Sequence, residues 1–156
     1  MKVNRWQLIA VFVWVGFVLS MSIACGDDPV MLRSGDTPAS GMVENETWEF
    51  EDGVTDVWEE IDQLWVILDE DVIGSCGAQD QASSARRVTF PIEREVGESE
   101  VHVTFESYEG WDWYSSTVSG QVEITEISDG IIYGSVEASD QSENEVSGDF
   151  AALDCH

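Results

Sequence analysis

The chain has 156 residues, of which 32 are acidic and six are basic, a formal charge of −26. So acidic a body is repelled by phosphate backbones and by anionic headgroups, which excludes nucleic acid as a partner and direct adsorption to anionic membranes. The length suits one domain, and 43% hydrophobic residues leave enough apolar material for one core.

Lys2 and Arg5 precede an apolar run over residues 6–24, and Ser22-Ile23-Ala24 leads into Cys25. A basic start, an apolar stretch and a small residue at the cut describe an export signal. An uncleaved anchor is an alternative, because about 20 apolar residues span a bilayer. Plain cleavage with release is another. All three readings put the remainder outside the cytoplasm. A cysteine directly after the cut resembles the bacterial lipoprotein signal, in which that cysteine receives lipid. Ser22 stands where that signal most often has leucine. The resemblance implies a signal peptide over residues 1–24 and a membrane anchor through lipid on Cys25. Gly26 follows Cys25, and Asp27 lies one place beyond the position associated with inner-membrane retention. The resemblance therefore favours the outer membrane. Cleavage would remove Lys2 and Arg5, leaving four arginines and no lysine against 32 acids, a charge of −28. Such charge keeps a protein soluble but strains its fold through self-repulsion, which salt screens.

Residues 25–46 read as the lipidated cysteine and a flexible tether, rich in Gly, Asp, Pro and Ser. As a coil the tether would span roughly 25 Å. The domain is expected over residues 47–156. Val54, Val57, Trp58, Ile61, Leu64, Trp65 and Leu68 fit helical spacing, yet residues 64–68 are also an apolar run of strand length. A strand over Gln63–Asp69 is favoured, with a short helix before it. Cys76 follows in a loop. Val88, Phe90 and Ile92 share a face opposite Pro91, which points to an edge strand or a strand end. Val101, Val103 and Phe105 share a face opposite His102 and Thr104. Residues 114–119 read as another strand, entered from Glu109-Gly110; residues 121–127 alternate, Asp129-Gly130 marks a hairpin, and residues 131–138 and 146–152 alternate again. The expected fold is all-β, an antiparallel β-sandwich or small barrel.

Three cysteines are an odd number for an exported chain. With lipid on Cys25, Cys76 and Cys155 remain, either as a disulfide or as two thiols. Neither has a second Cys or His at ligand spacing, so no metal is assigned there. The layout Gly120-x-Val122-x-Ile124, Gly134-x-Val136-x-Ala138 and Val146-Ser147-Gly148-x-Phe150-x-Ala152, ending in Cys155, is similar to a group of small bacterial lipoproteins with a C-terminal all-β domain. The resemblance covers most of residues 64–155. It implies the sandwich or barrel and a Cys76–Cys155 disulfide, and it carries no activity.

No catalytic residue and no cofactor is assigned. His102 should point outward, His156 ends the chain, and no nucleophile motif accompanies them. Asp69-Glu70-Asp71 lacks calcium-loop spacing and reads as a solvated acidic turn. The Arg86-Arg87 pair is expected to neutralise nearby acids. Trp111, Trp113 and Tyr114 form the ligand-binding candidate. In a strand Trp111 and Trp113 would share a face, where indoles beside carboxylates stack on a sugar or another planar ligand. The competing expectation is that these rings plug the end of a barrel. The functional expectation is a non-enzymatic cell-envelope lipoprotein, a binding or structural module whose partner is a glycan or an envelope protein. The alternatives are an envelope-polymer hydrolase using paired carboxylates and a calcium-dependent adhesion domain. Intact mass of the membrane-extracted chain should show an acylated Cys25 at its N-terminus, and Cys25→Ser should release the domain or leave the precursor uncut. A wild-type chain that keeps Met1 and carries no lipid overturns the assignment.

Overall fold

Alternating apolar and polar residues make strands with one face to bury, and here the sheet closes on itself to bury it. The structure, a computed structural model, describes residues 30–58, 63–71, 73, 76, 86–109, 112–141 and 143–155. Cys25 lies outside them, as do Trp111 and His156. Among the described residues there are nine strands and no helix: β1 Ser40–Val43, β2 Glu46–Glu49, β3 Asp52–Trp58, β4 Gln63–Asp69, β5 Arg87–Ile92, β6 Gly97–Glu109, β7 Asp112–Ser128, β8 Ile131–Ser139 and β9 Glu145–Leu153. The sheet order is β2-β1-β9-β3-β4-β5-β6-β7-β8, and β8 also pairs β9. The sheet is therefore a closed barrel of seven strands, β3 to β9, with the β1–β2 hairpin added on β9.

Two expectations need correction. The short helix before residue 63 is β3, which pairs β4 from Asp52↔Asp69 to Trp58↔Gln63. Val54, Thr55 and Val57 are β-branched and suit the pleat. The helical spacing arose because two strands with a connection between them each contributed apolar residues. Residues 30–46, expected within a flexible tether, instead lie against the barrel, where Val30 N–H donates to Asp52 and Thr37 N–H to Asp149. Ser40–Val43 is β1, and Ala39 and Val43 are fully buried in the core.

Inward residues fill the barrel. Val66, Leu68, Val88, Phe90, Val103, Phe105, Val122, Ile132 and Phe150 are all buried. Phe90 and Phe150 meet edge to face with centroids 5.4 Å apart. Gly134 makes room for that pair, since a Cβ there would lie 2.9 Å from the Phe150 ring. The β1–β2 hairpin caps one mouth. It starts on β9, at Ser40↔Ser147, and reaches the far side of the barrel. There Trp48 Nε1 donates to the Arg86 carbonyl at 3.0 Å, and Glu44 accepts from the Ser107 hydroxyl at 2.6 Å. Trp48 is fully buried.

Asp129 and Gly130 form the expected β7–β8 turn, with φ of 54° and 76°. Pro91 pairs Trp65 on β4, but the β5–β6 ladder covers only residues 87–89. The proline thus sits where β5 leaves its second neighbour and needs no N–H on that side.

Closure falls between β3 and β9, where one parallel pair is formed, Val54↔Leu153. The Thr55 hydroxyl donates to the Leu153 carbonyl at 3.3 Å and accepts from Cys155 N–H at 3.0 Å. The Cys76–Cys155 disulfide, with Cα atoms 5.6 Å apart, fastens the end of β9 to the segment after β4. Its sequence separation is 79 residues, for which chain entropy alone gives a stabilisation of about 4 kcal/mol. Cys76→Ser with Cys155→Ser should therefore lower the urea midpoint by an amount equivalent to about 4 kcal/mol. Unfolding of the wild type by urea with and without reductant checks the same quantity, and equal midpoints would show that the bridge is idle.

Candidate functional site

The barrel interior is filled, so a ligand has the outer wall. Outward positions of β3 to β7 line up through the ladder register. Asp69 on β4 faces Arg87 on β5, and Arg87 faces Glu106 on β6. Glu106 faces Ser115 and Tyr108 faces Trp113 on β7. One row lower, Ile67, Thr89, Thr104 and Thr117 align across β4 to β7. Trp65 and Asp56 form the next row. The result is an open groove of about 530 Å³ bounded by Trp65 and Ile67 on one side and Trp113 on the other, with Arg87 and Glu106 between.

Arg87 organises this wall. Its Nη2 lies 3.4 Å from Asp69 Oδ2, and its guanidinium sits 5.4 Å from the Tyr108 ring centroid. Tyr108 stacks on Trp113, with centroids 6.5 Å apart and planes at 20°. Trp113 is nonetheless 63% exposed, so one indole face is held in place and offered to solvent. Asp69 is fully buried, and burial raises its pKa from 3.8 to about 6 despite the hydrogen bond from Asp71 N–H and the nearby Arg87. Burial also pushes the Glu106 carboxyl up, against the pull of Arg87. Tyr108 is raised by burial first and by Glu106 second.

Of the ligand-binding candidates, Trp113 reaches the groove. Tyr114 does not. It is the neighbouring residue on the strand, so it faces the other way and its hydroxyl accepts from Asn144 Nδ2 at 2.9 Å. Trp111 lies outside the described residues. His102 is exposed on its strand. The acidic turn is tied to the arginines. Arg86 Nε reaches Glu70 at 3.0 Å, Arg86 N–H donates to the same carboxylate, and Asp69 faces Arg87. Among the described residues no three His, Cys, Asp or Glu groups converge as metal ligands.

Sequence reasoning missed Trp65, Arg87, Glu106 and Tyr108 as one site. Alternation places each on an outward face, but only the register brings their three strands together. A second depression, of about 420 Å³, lies over β7 to β9, with Glu100, Glu137 and Glu145 around Ser119 and Gly120. It carries no aromatic ring. Comparison with known protein families, curated proteins and solved structures finds no match.

The Asp69 shift has a sign. Its folded pKa lies above its unfolded value, so its contribution to stability is full below about pH 3.8 and is lost as pH rises through about 6. Between pH 7 and 5 this group should add about 1 kcal/mol of stability. Asp69→Asn should remove that increment from the urea-midpoint profile. An unchanged profile would show that Asp69 does not titrate there.

Proposed function

We propose that the chain is a non-enzymatic cell-envelope lipoprotein, anchored through lipid on Cys25 and placed in the outer membrane, whose barrel binds a neutral glycan in the Trp65–Trp113 groove. The observation that carries this reading is Trp113, an exposed indole pre-oriented by Tyr108 beside an apolar wall. A ring fixed before binding loses little entropy when a sugar face stacks on it. The Thr89, Thr104 and Ser115 hydroxyls and the Glu106 carboxylate supply hydrogen-bonding groups around the stacking surface. The field of −28 charges disfavours anionic ligands, and Arg87 is turned toward Asp69. Binding is favoured over hydrolysis because Asp69 is fully buried and so cannot touch a substrate. Glu106 and Asp56 are the acids that line the groove, and they stand on β6 and β3 with the rows of β4 and β5 between them.

Titration of the purified chain with neutral envelope oligosaccharides, followed by tryptophan fluorescence, tests the reading. Trp113→Ala should weaken binding about tenfold or more, equivalent to about 1.4 kcal/mol, while Trp113→Phe should keep most of it. Binding that ignores Trp113→Ala moves the ligand elsewhere. Release of new reducing ends during incubation would favour the hydrolase instead.

A further inference from the structure

The β6–β7 hairpin is longer than the barrel wall it belongs to. β7 pairs β6 from Asp112 to Ile124, but it meets β8 only from Gly120 onward. Among the described residues, 112–119 therefore have a ladder neighbour on one side. An open strand edge presents backbone donors and acceptors to any other strand, and proteins usually blunt it with charge, proline, a bulge or shortness. The open edge at β2 follows that rule: it has four residues and carries Glu46 and Glu49. The β7 edge breaks it. Its register with β6 runs without a bulge, it contains no proline, and residues 113–122 contain no charged side chain in a chain with 32 acids. Trp113, Tyr114, Thr117 and Val118 all favour strand.

We propose that this edge is the seam of a homodimer, in which residues 112–119 of two copies pair as antiparallel strands. The occupant follows from charge. Two bodies of −28 associate only where contact does not set carboxylate against carboxylate. A second copy brings the same strand, uncharged from Trp113 to Val122, and in the register below Asp112 falls opposite Gly120, so an isologous, two-fold seam meets that condition on both sides. Placing Ser115 opposite the partner's Thr117 forms hydroxyl pairs across the seam. The same register keeps the half-buried Tyr114, Ser116 and Val118 of both copies on one side and both Trp113 rings on the other. This inference is independent of the glycan reading, because it rests on backbone pairing and not on the groove.

Sedimentation of the full mature chain in detergent across the micromolar range, at about 0.1 and 0.5 M sodium chloride, tests it. Reversible dimers that strengthen with salt are expected. Thr117→Lys should weaken the dimer at least tenfold, although it brings the net charge closer to zero and would promote any association limited by charge alone. Gln121→Lys, on the same strand where β8 already pairs, should change the dimer less than twofold. Hydrogen exchange of the wild type should show residues 112–119 gaining protection as concentration rises, which decides the matter even if Thr117→Lys misfolds. A chain that stays monomeric throughout, equal weakening by both variants, or protection that maps elsewhere overturns the proposal. A monomer protected over residues 112–119 only by an added neutral extended peptide also overturns it, and assigns the edge to a different chain.

Discussion

A barrel is as closed as its weakest neighbouring pair, and here that pair is β3 against β9. One parallel backbone pair joins them, whereas β8 and β9 pair from Ile131↔Leu153 to Ser139↔Glu145. Independent devices converge on the gap. Thr55 bridges it with its hydroxyl. Gly53 allows the close approach, since a Cβ there would lie 2.7 Å from the Ala151 carbonyl oxygen. The disulfide ties the end of β9 outward, and Arg94 pairs with Asp154 beside it. Residues 30–33 strap the outside: Val30 N–H donates to Asp52 on β3, while Arg33 pairs with Glu126 and lies 3.9 Å above the Tyr133 ring on β8. Without closure the inward faces of all seven strands would lose their enclosure, so the filled core and the aligned outer wall both depend on this seam.

Carboxylates do much of the fastening. Buried Asp52 accepts from Val30, Gly53 and Ile73 N–H and so gathers the strap, β3 and the segment after β4. Asp149 takes Thr37 N–H, and Asp140 holds Glu143 and Asn144 N–H at the β8–β9 turn. A chain with 32 acids supplies its turn and strap acceptors from them. Among the described residues the arginines are placed as sparingly: Arg33, Arg86, Arg87 and Arg94 each meet an acid on another element. The exposed pairs contribute at most about 1 kcal/mol each, whereas Arg87 and Asp69 are buried together and loss of either would leave a buried charge.

The hairpins were legible because period-two alternation and Asp129-Gly130 are local signals. The disulfide was legible as one of two outcomes for a leftover pair of cysteines. Ring closure was not, because nothing in Val54 or Leu153 announces that they are neighbours across a separation of 99 residues, and a sandwich satisfies the same alternation as a barrel. β3 was obscured because the apolar residues of two adjoining strands can imitate a helical stripe. Ser40–Val43 was obscured by composition: Gly41 reads as linker, yet it is needed because a Cβ there would collide with the Glu145 carbonyl. Of the candidate site, Trp113 was visible as an aromatic in a strand. Tyr108 and Arg87 were not, since their contacts run across strands whose register no local pattern sets.

Charge also tells where this surface is meant to be touched. Acids are frequent on the outward faces of this chain, and longer stretches without them stand out. The outer wall of β4 to β7 carries Trp65, Ile67, Thr89, Thr104 and Trp113 where solvated acids would cost nothing, and the carboxylate between them, Glu106, is held beside Arg87. From Trp113 to Ser119 the overhang of β7 carries serine, threonine, valine and aromatics, whereas the stretch of β6 opposite it carries Glu106 and, at the tip, Glu109 faces Asp112. The two stretches meet on the β6–β7 hairpin, which extends past the barrel rim. Core packing accounts for part of that overhang, since Phe105 is fully buried and Val118 packs against the core, but it does not account for the uncharged outward positions Trp113, Ser115, Thr117 and Ser119. Its extra length and its lack of charge are explained together if its outer face receives one partner and its open edge another.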